Sequence, residues 1–381
     1  MLNLKITDQE FRDRFREKQF YLCPAAAETG MVDWSFINDL LYLIEPAQPR
    51  FKIMCDGLVD ESSYAEDIVE AGLSRKRLRK ASFYDLMQRG ATAVFNRLEL
   101  SSPYIRKLAG AVAGIAGGST AVNAYLSYTG TGTFGKHWDT HDVFVIQLFG
   151  SKHWSVHEPT FEFPLREHTS KYRKQECPEA PALDTVLKPG DVLYLPRGWW
   201  HAATPIGEPS FHITVGLHQP KMIDYAAWCV TKYLPDFVTA RKTAHFDQPA
   251  DGDIEELAKI LAGFIASPHY YEEFMREMLT EERVATPFNL ELFTSQQGDR
   301  LAPGRKVRLT GEIRTELGRQ YMRLNGSLDR RSPQELAILG LLSSQRELSI
   351  AQIEAALPGH APDTLQAGVK ALLRKDVVAL D

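Results

Sequence analysis

The chain has 381 residues, a formal net charge of −5 and a pI near 6.2. That length supports a substantial core and two or three domains, and the mild acidity excludes a whole-surface basic footprint for nucleic acid. Four scattered cysteines, Cys23, Cys55, Cys177 and Cys229, exclude a zinc spacing or a disulfide framework and suggest a reducing cytoplasm. The N-terminus, MLNLKITDQEFRDRFREKQF, is charged throughout with no apolar h-region, and no stretch approaches a transmembrane span, so a cytoplasmic protein without membrane contact is expected.

Along the chain, His137-Trp138-Asp139 is the first group that carries chemistry, and His201 follows 62 positions after Asp139. Two imidazoles and a carboxylate are the donor set of a non-haem Fe(II) centre that keeps one face open. On extended backbone, residues i and i+2 point the same way, so His137 and Asp139 can share a metal while Trp138 turns away. Val143 to Phe149 then reads as an apolar strand closed by the turn Gly150-Ser151. His153 to Val156 continues the β pattern. Pro189-Gly190 is a turn, and the run after it is a short buried strand stopped by Pro196. Arg197 to His201 is a tight bend that presents His201 at a strand edge, and Phe211 to Leu217 is a further strand. Short strands, close turns and a His-x-Asp…His set point to a double-stranded β-helix, the jelly-roll barrel of cupins, with metal in its mouth. The other histidines, His141, His153, His157 and His212, read as structural or supporting groups. Trp154, Trp199 and Trp200 read as packing.

The segment NAYLSYTGTGTFGKHWDTHDVFVIQLFGSKHW, with LKPGDVLYLPRGWWH after it, resembles the JmjC-type oxygenases, and within them the ribosomal oxygenases. FRDRFREKQFYLCPA resembles that family's opening helix and strand, and GATAVFNRLELSSPYIRKLAGAVA its helical lead-in to the barrel. The resemblance implies a metal triad of His137, Asp139 and His201. It implies a co-substrate cation at Lys152, fifteen positions after the first ligand, and an Asn-x-Tyr pair at Asn123 and Tyr125. Thr214 is a further hydroxyl donor by alternation along its strand. The implied co-substrates are 2-oxoglutarate and O2, with Fe(II) as the metal. The implied reaction decarboxylates 2-oxoglutarate to succinate and CO2 and hydroxylates a C–H bond. A buried distal carboxylate needs a cation and hydrogen-bond donors, which suits Lys152; Arg197 is the next candidate. The family's substrates are arginine and histidine side chains of ribosomal proteins. Two rivals remain open: the same chemistry on a biosynthetic peptide or small molecule, and a regulator whose barrel senses a metal or a small acid.

After Leu217, Met222 to Val238 and Ile254 to Leu279 carry apolar residues at helical spacing. The polar segment TARKTAHFDQPADGD connects them. The resemblance implies that this helical region makes a homodimer. RQYMRLNGSLDRRSP reads as a hairpin turning at Asn325-Gly326. Ser332 and Pro333 start a helix as N-cap and first residue. SIAQIEAAL and APDTLQAGVKALLRKDVVAL supply two more helices and a terminal strand, a pattern that suggests a winged helix. Its charges are balanced and its last helix, Pro362 to Lys375, offers few basic residues, which argues against a nucleic-acid groove. The expected organisation is a catalytic barrel domain over 1–219 (core about 100–219), a helical dimerisation region over 220–298 and a winged-helix-like domain over 299–381. The fold class is a mainly β catalytic core with helical additions.

Overall fold

The computed structural model describes residues 2–130, 132, 134–245, 251–281, 288–293, 300–310, 321–324, 327–345 and 347–380. The chain divides into two compact units, Met1–His218 and Gln219–Asp381. The first unit opens with α1 (Asp8–Arg14), β1 (Tyr21–Cys23), α2 (Trp34–Leu43) and β2 (Phe51–Met54). A hairpin of β3 (Ala65–Glu70) and β4 (Leu73–Leu78) follows, then α3 (Lys80–Gln88), β5 (Thr92–Asn96) and α4 (Pro103–Ala116). The barrel strands come next: β6 (Ser119–Ser127), β7 (Asp142–Phe149), β8 (Lys152–His157) and β9 (Leu183–Leu187). They end with β10 (Val192–Leu195), β11 (Trp200–Pro205) and β12 (Ser210–His218).

Local chemistry explains the helix ends. Thr7 caps α1 by accepting from the Glu10 amide, with Asp8 and Glu10 in its first turn and Arg12 and Arg14 in its last. Ser102 caps α4, Pro103 opens it, and Gly117 ends it at φ 78°.

Apart from the β3-β4 hairpin, the strands of this unit form two sheets. The larger runs β1-β10-β7-β12-β6-β5-β2 and the smaller β11-β8-β9. Every pairing is antiparallel. The uninterrupted apolar run of β7 is explained by burial on both faces. Phe144, Ile146 and Leu148 enter a core shared with α1, α2, α3 and α4. Val143 and Val145 enter a second core with Trp154, Val156 and Leu187 of the small sheet. β10 divides the same way, with Val192 and Tyr194 on one side and Leu193 and Leu195 on the other. The two sheets are therefore opposite walls of a jelly-roll barrel, and period-two alternation decides which side chains reach its interior.

The segment read as a helical lead-in is helical only in part. Its first portion, TAVFN, is β5 and pairs with both β2 and β6. Its β-branched and aromatic residues are buried within the large sheet, so that sheet begins well before residue 100.

The second unit contains α5 (Met222–Tyr233), α6 (Asp251–Ile265) and α7 (Pro268–Glu281). The stretch read from Ile254 to Leu279 is therefore two helices, because Pro268 cannot continue α6 but suits the first position of α7. Tyr225, Trp228, Cys229, Phe264 and Phe274 form their core. The same unit holds β13 (Lys306–Leu309), β14 (Tyr321–Leu324), β15 (Ser327–Arg330), α8 (Pro333–Ser344), β16 (Glu347–Ser349), α9 (Ile350–Ala356), α10 (Pro362–Arg374) and β17 (Val378–Leu380). β14 and β15 pair as a hairpin, while Asn325 and Gly326 lie outside the described residues. β13 is central to a sheet of order β16-β13-β17. Ser332 and Glu335 form a reciprocal capping box at the start of α8. Among the described residues, no helix is long and apolar enough to cross a membrane.

Candidate active site

The segment carrying His137 precedes β7 as extended chain rather than as a named strand, yet the alternation read from the sequence holds. Trp138 is buried and stacks on Phe161 at 5.8 Å, away from its neighbours. His137 and His201 form an antiparallel bridge with hydrogen bonds of 3.0 Å and 2.8 Å, and the Gly198 amide donates to the Asp139 carbonyl at 3.0 Å. Backbone pairing thus draws together two segments far apart in sequence. Gly198 allows the bend: its φ is +86°, and a Cβ there would lie 2.7 Å from the Phe161 carbonyl oxygen.

One ligand atom from each of His137, Asp139 and His201 lies within 4.8 Å of the others. His201 Nε2 is 3.6 Å from Asp139 Oδ2, and the two imidazole rings are 4.3 Å apart. Each imidazole places Nδ1 3.0 Å from a carbonyl, Gly135 for His137 and Trp199 for His201. A carbonyl can only accept, so each Nδ1 carries the proton and each Nε2 keeps its lone pair for a metal. Burial pushes the His201 imidazole down to about 4, which keeps it neutral, as ligation requires. Burial alone would raise Asp139, but the attraction of the His201, His137 and His141 imidazoles, charged at the acidic pH where the carboxyl titrates, outweighs it and holds that carboxyl below the usual range. Two imidazole nitrogens and one carboxylate, with no lysine or arginine salt-bridged to them among the described residues, fit a divalent ion.

The triad opens into a cavity of about 240 Å³. This is below the roughly 300–1,000 Å³ typical of drug-sized sites, so it suits a small co-substrate. The cavity is the barrel interior. Lys152 and Trp154 of β8 face His201 and Ala203 of β11 across one wall; Val143 and Val145 of β7, His212 and Thr214 of β12 and Tyr125 of β6 form the other. Lys152 is 4% exposed, and its Nζ donates to Ser127 Oγ at 2.9 Å. Among the described residues no carboxylate offsets its burial, and desolvation pushes the ammonium down to about 8. The preceding turn fixes its place. Gly150 has φ +58°, and a Cβ there would fall 1.8 Å from the Pro209 carbonyl oxygen.

Tyr125 and Thr214 line the cavity, and Asn123 does not. Asn123 pairs with Thr214 across β6 and β12, and both side chains hydrogen-bond the Tyr125 hydroxyl. Burial and the nearby Asp139 charge nonetheless raise the Tyr125 pKa, so the phenol stays protonated as a donor. Arg197, the reserve cation, is engaged elsewhere: its guanidinium contacts Glu17 at 2.9 Å and 3.0 Å and does not line the cavity.

Two residues read as a supporting group and as packing, His212 and Trp154, also line the cavity. His212 stacks on Tyr125 at 4.9 Å and is kept neutral by burial and the Lys152 charge. Trp154 lies 6.1 Å from the His201 ring. The available signal was alternation, since His212 is two residues from Thr214 and Trp154 two from Lys152, which places each pair on one strand face.

Residues 105–225 match the JmjC domain family. The chain is 33% identical over 174 residues to "Ribosomal oxygenase 1" of Gallus gallus, an alignment covering 42% of this chain and 27% of that protein. It is 42% identical over 98 residues to the "Bifunctional lysine-specific demethylase and histidyl-hydroxylase NO66" of Drosophila persimilis, covering 26% and 14%. The chain thus aligns with only about a quarter or less of these relatives' length. The solved structure of YcfD, a ribosomal oxygenase from Escherichia coli in complex with cobalt and 2-oxoglutarate, superposes with a TM-score of 0.57 at 16% identity, covering 100% of both chains. YcfD with cobalt and succinic acid gives 0.58 at 17%, again covering 100% of both. These structures show the fold. Residues 105–225 of the chain thus match a JmjC domain, and the chain resembles the ribosomal oxygenases in sequence over its middle portion and in fold.

Proposed function

We propose that this chain is an Fe(II)- and 2-oxoglutarate-dependent hydroxylase acting on an arginine or histidine side chain of a ribosomal protein. The observation that carries the reading is one small cavity holding both His137, Asp139 and His201 and a buried lysine, Lys152, with no carboxylate partner among the described residues. When bound, Fe(II) with 2-oxoglutarate and O2 supplies the oxidising power for C–H hydroxylation, with release of succinate and CO2. His137, Asp139 and His201 would hold the metal through two Nε2 atoms and a carboxylate oxygen. Lys152 meets the distal carboxylate, which would otherwise be buried without a counter-charge. Tyr125 and Thr214 add hydroxyl donors, and Asn123 orients Tyr125. Trp154, Val143 and Val145 keep the interior dry, which limits unproductive oxidation. Cobalt and 2-oxoglutarate in the YcfD site are consistent with this donor set.

The substrate assignment draws support from the ribosomal-oxygenase relatives and from the mild acidity of the chain, which suits a basic partner. We further propose a cytoplasmic homodimer joined through the helical region, whose Met222, Ile223 and Ile254 are 65%, 57% and 61% exposed. In this reading β13 to β17 with α8, α9 and α10 are a winged-helix-like accessory domain. The test is succinate release by the Fe(II)-loaded protein with and without its host's ribosomal proteins, followed by mass spectrometry. Stimulation with an added oxygen on a ribosomal protein supports the proposal. Unstimulated turnover moves the substrate to another peptide or a small molecule, and no turnover with iron bound favours a sensor.

A further inference from the structure

We infer that a ring of four side chains, Glu17, Tyr194, Asp142 and Arg197, positions the bend that aims His201 at the metal. The inference rests on His137, Asp139 and His201 being the ligands. Asp142 is 3% exposed and lies three residues after Asp139. Its Oδ1 accepts from the Arg197 amide at 3.0 Å, and its Oδ2 accepts from the Tyr194 hydroxyl at 2.5 Å. That hydroxyl accepts in turn from the Glu17 amide at 2.9 Å, and the Glu17 carboxylate receives the Arg197 guanidinium at 3.0 Å. The ring is closed.

Its location gives it a role beyond holding strands together. Arg197 opens the bend 197–200, whose Gly198 amide binds the Asp139 carbonyl and whose Trp199 carbonyl receives the His201 Nδ1 proton. Asp142 therefore grips one end of the ligand-bearing segment 137–142 and, through the Arg197 amide, the start of the segment that ends in His201. Moving Arg197 moves the Trp199 carbonyl, and with it the direction of the His201 Nε2 lone pair. A buried carboxylate accepting two hydrogen bonds is costly to leave partly unpaired, so the arrangement has a single low-energy geometry. Glu17, on the segment between α1 and β1, extends that constraint to the N-terminal part of the unit. None of the four is a ligand; all are positioning residues.

The experiment measures Co(II) affinity and the Co(II) visible spectrum of the full chain for wild type, Asp142→Asn, Glu17→Gln, Asp139→Ala and Glu99→Gln. Asp142→Asn should weaken Co(II) binding roughly 10–100-fold, the range found when outer partners of metal ligands are removed, and should alter the ligand-field bands. Glu17→Gln, at a side chain 39% exposed, should give a smaller loss in the same direction. Glu99 is a buried carboxylate that accepts from the Val122 amide at 3.0 Å, outside the site, so Glu99→Gln should lower thermal stability and leave affinity and spectrum unchanged. Wild-type affinity and bands in Asp142→Asn would overturn the inference, as would an unchanged Glu17→Gln if Asp142→Asn does not fold. Wild-type Co(II) binding by Asp139→Ala would instead remove the ligand assignment itself.

Discussion

Replacing Lys152 with methionine should move binding and stability in opposite directions. Lys152 is 4% exposed, and its ammonium is offset by one hydrogen bond from Nζ to Ser127. Its pKa is depressed from 10.5 to about 8 by desolvation. That difference corresponds to about 3 kcal/mol of penalty on the charged form at neutral pH. Methionine fills similar volume without a charge, and loss of the Ser127 bond returns about 1 kcal/mol. The ligand-free variant should therefore be about 2 kcal/mol more stable than wild type. The same change leaves the distal carboxylate of 2-oxoglutarate buried and unpaired. Removing one partner of a buried pair costs about 3–5 kcal/mol, or roughly two to four orders of magnitude in affinity. Calorimetric titration of 2-oxoglutarate into Co(II)-loaded protein, beside thermal unfolding of the ligand-free forms, reads both effects. A variant that loses stability, or that binds 2-oxoglutarate within tenfold of wild type, would refute the assignment of Lys152 as the carboxylate's counter-charge.

The same lysine sets a pH dependence. Its folded pKa lies below its unfolded value, so the unfolded chain holds more protons between about 8 and 10.5, and ligand-free stability should rise across that window. Affinity for 2-oxoglutarate should fall over the same range, because the carboxylate needs the charged form; titrations near pH 8.5 in buffers of different ionisation enthalpy should register proton uptake. His137→Ala and Asp139→Ala should each abolish 2-oxoglutarate turnover while circular dichroism stays native, and an active Asp139→Ala protein would mean the triad is wrong. Gly150→Ala combines a left-handed φ of +58° with a Cβ 1.8 Å from the Pro209 carbonyl oxygen, so it should cost about 2–4 kcal/mol, measured by denaturant unfolding.

The parts of this site legible in the sequence are those governed by local periodicity. His137 and Asp139 share a face because extended chain alternates, and Thr214 points inward for the same reason, whereas Lys152 was marked by the family resemblance. The turns at Gly150 and Gly198 announced themselves because only glycine takes their backbone angles beside neighbouring carbonyls. The helix start at Ser332-Pro333 follows from capping, which is also local. The break between α6 and α7 was equally local, since Pro268 carries it; the apolar pattern continues through the proline and masked it.

Other features depend on register between distant strands. Nothing near His201 says that its backbone will bridge His137, or that Trp154 and His212 will share the cavity wall. Arg197 and Lys152 are equivalent as sequence, both cations near turns. Resemblance ranks Lys152 first, but packing gives the physical difference: Arg197 has the Glu17 carboxylate, and Lys152 lies in the barrel interior with none among the described residues. The sequence by itself determined which residue types could bind a metal and which way each points along its own strand. Tertiary structure decided which of them meet and which charge remains uncompensated, because strand pairing and desolvation act between elements that the chain separates.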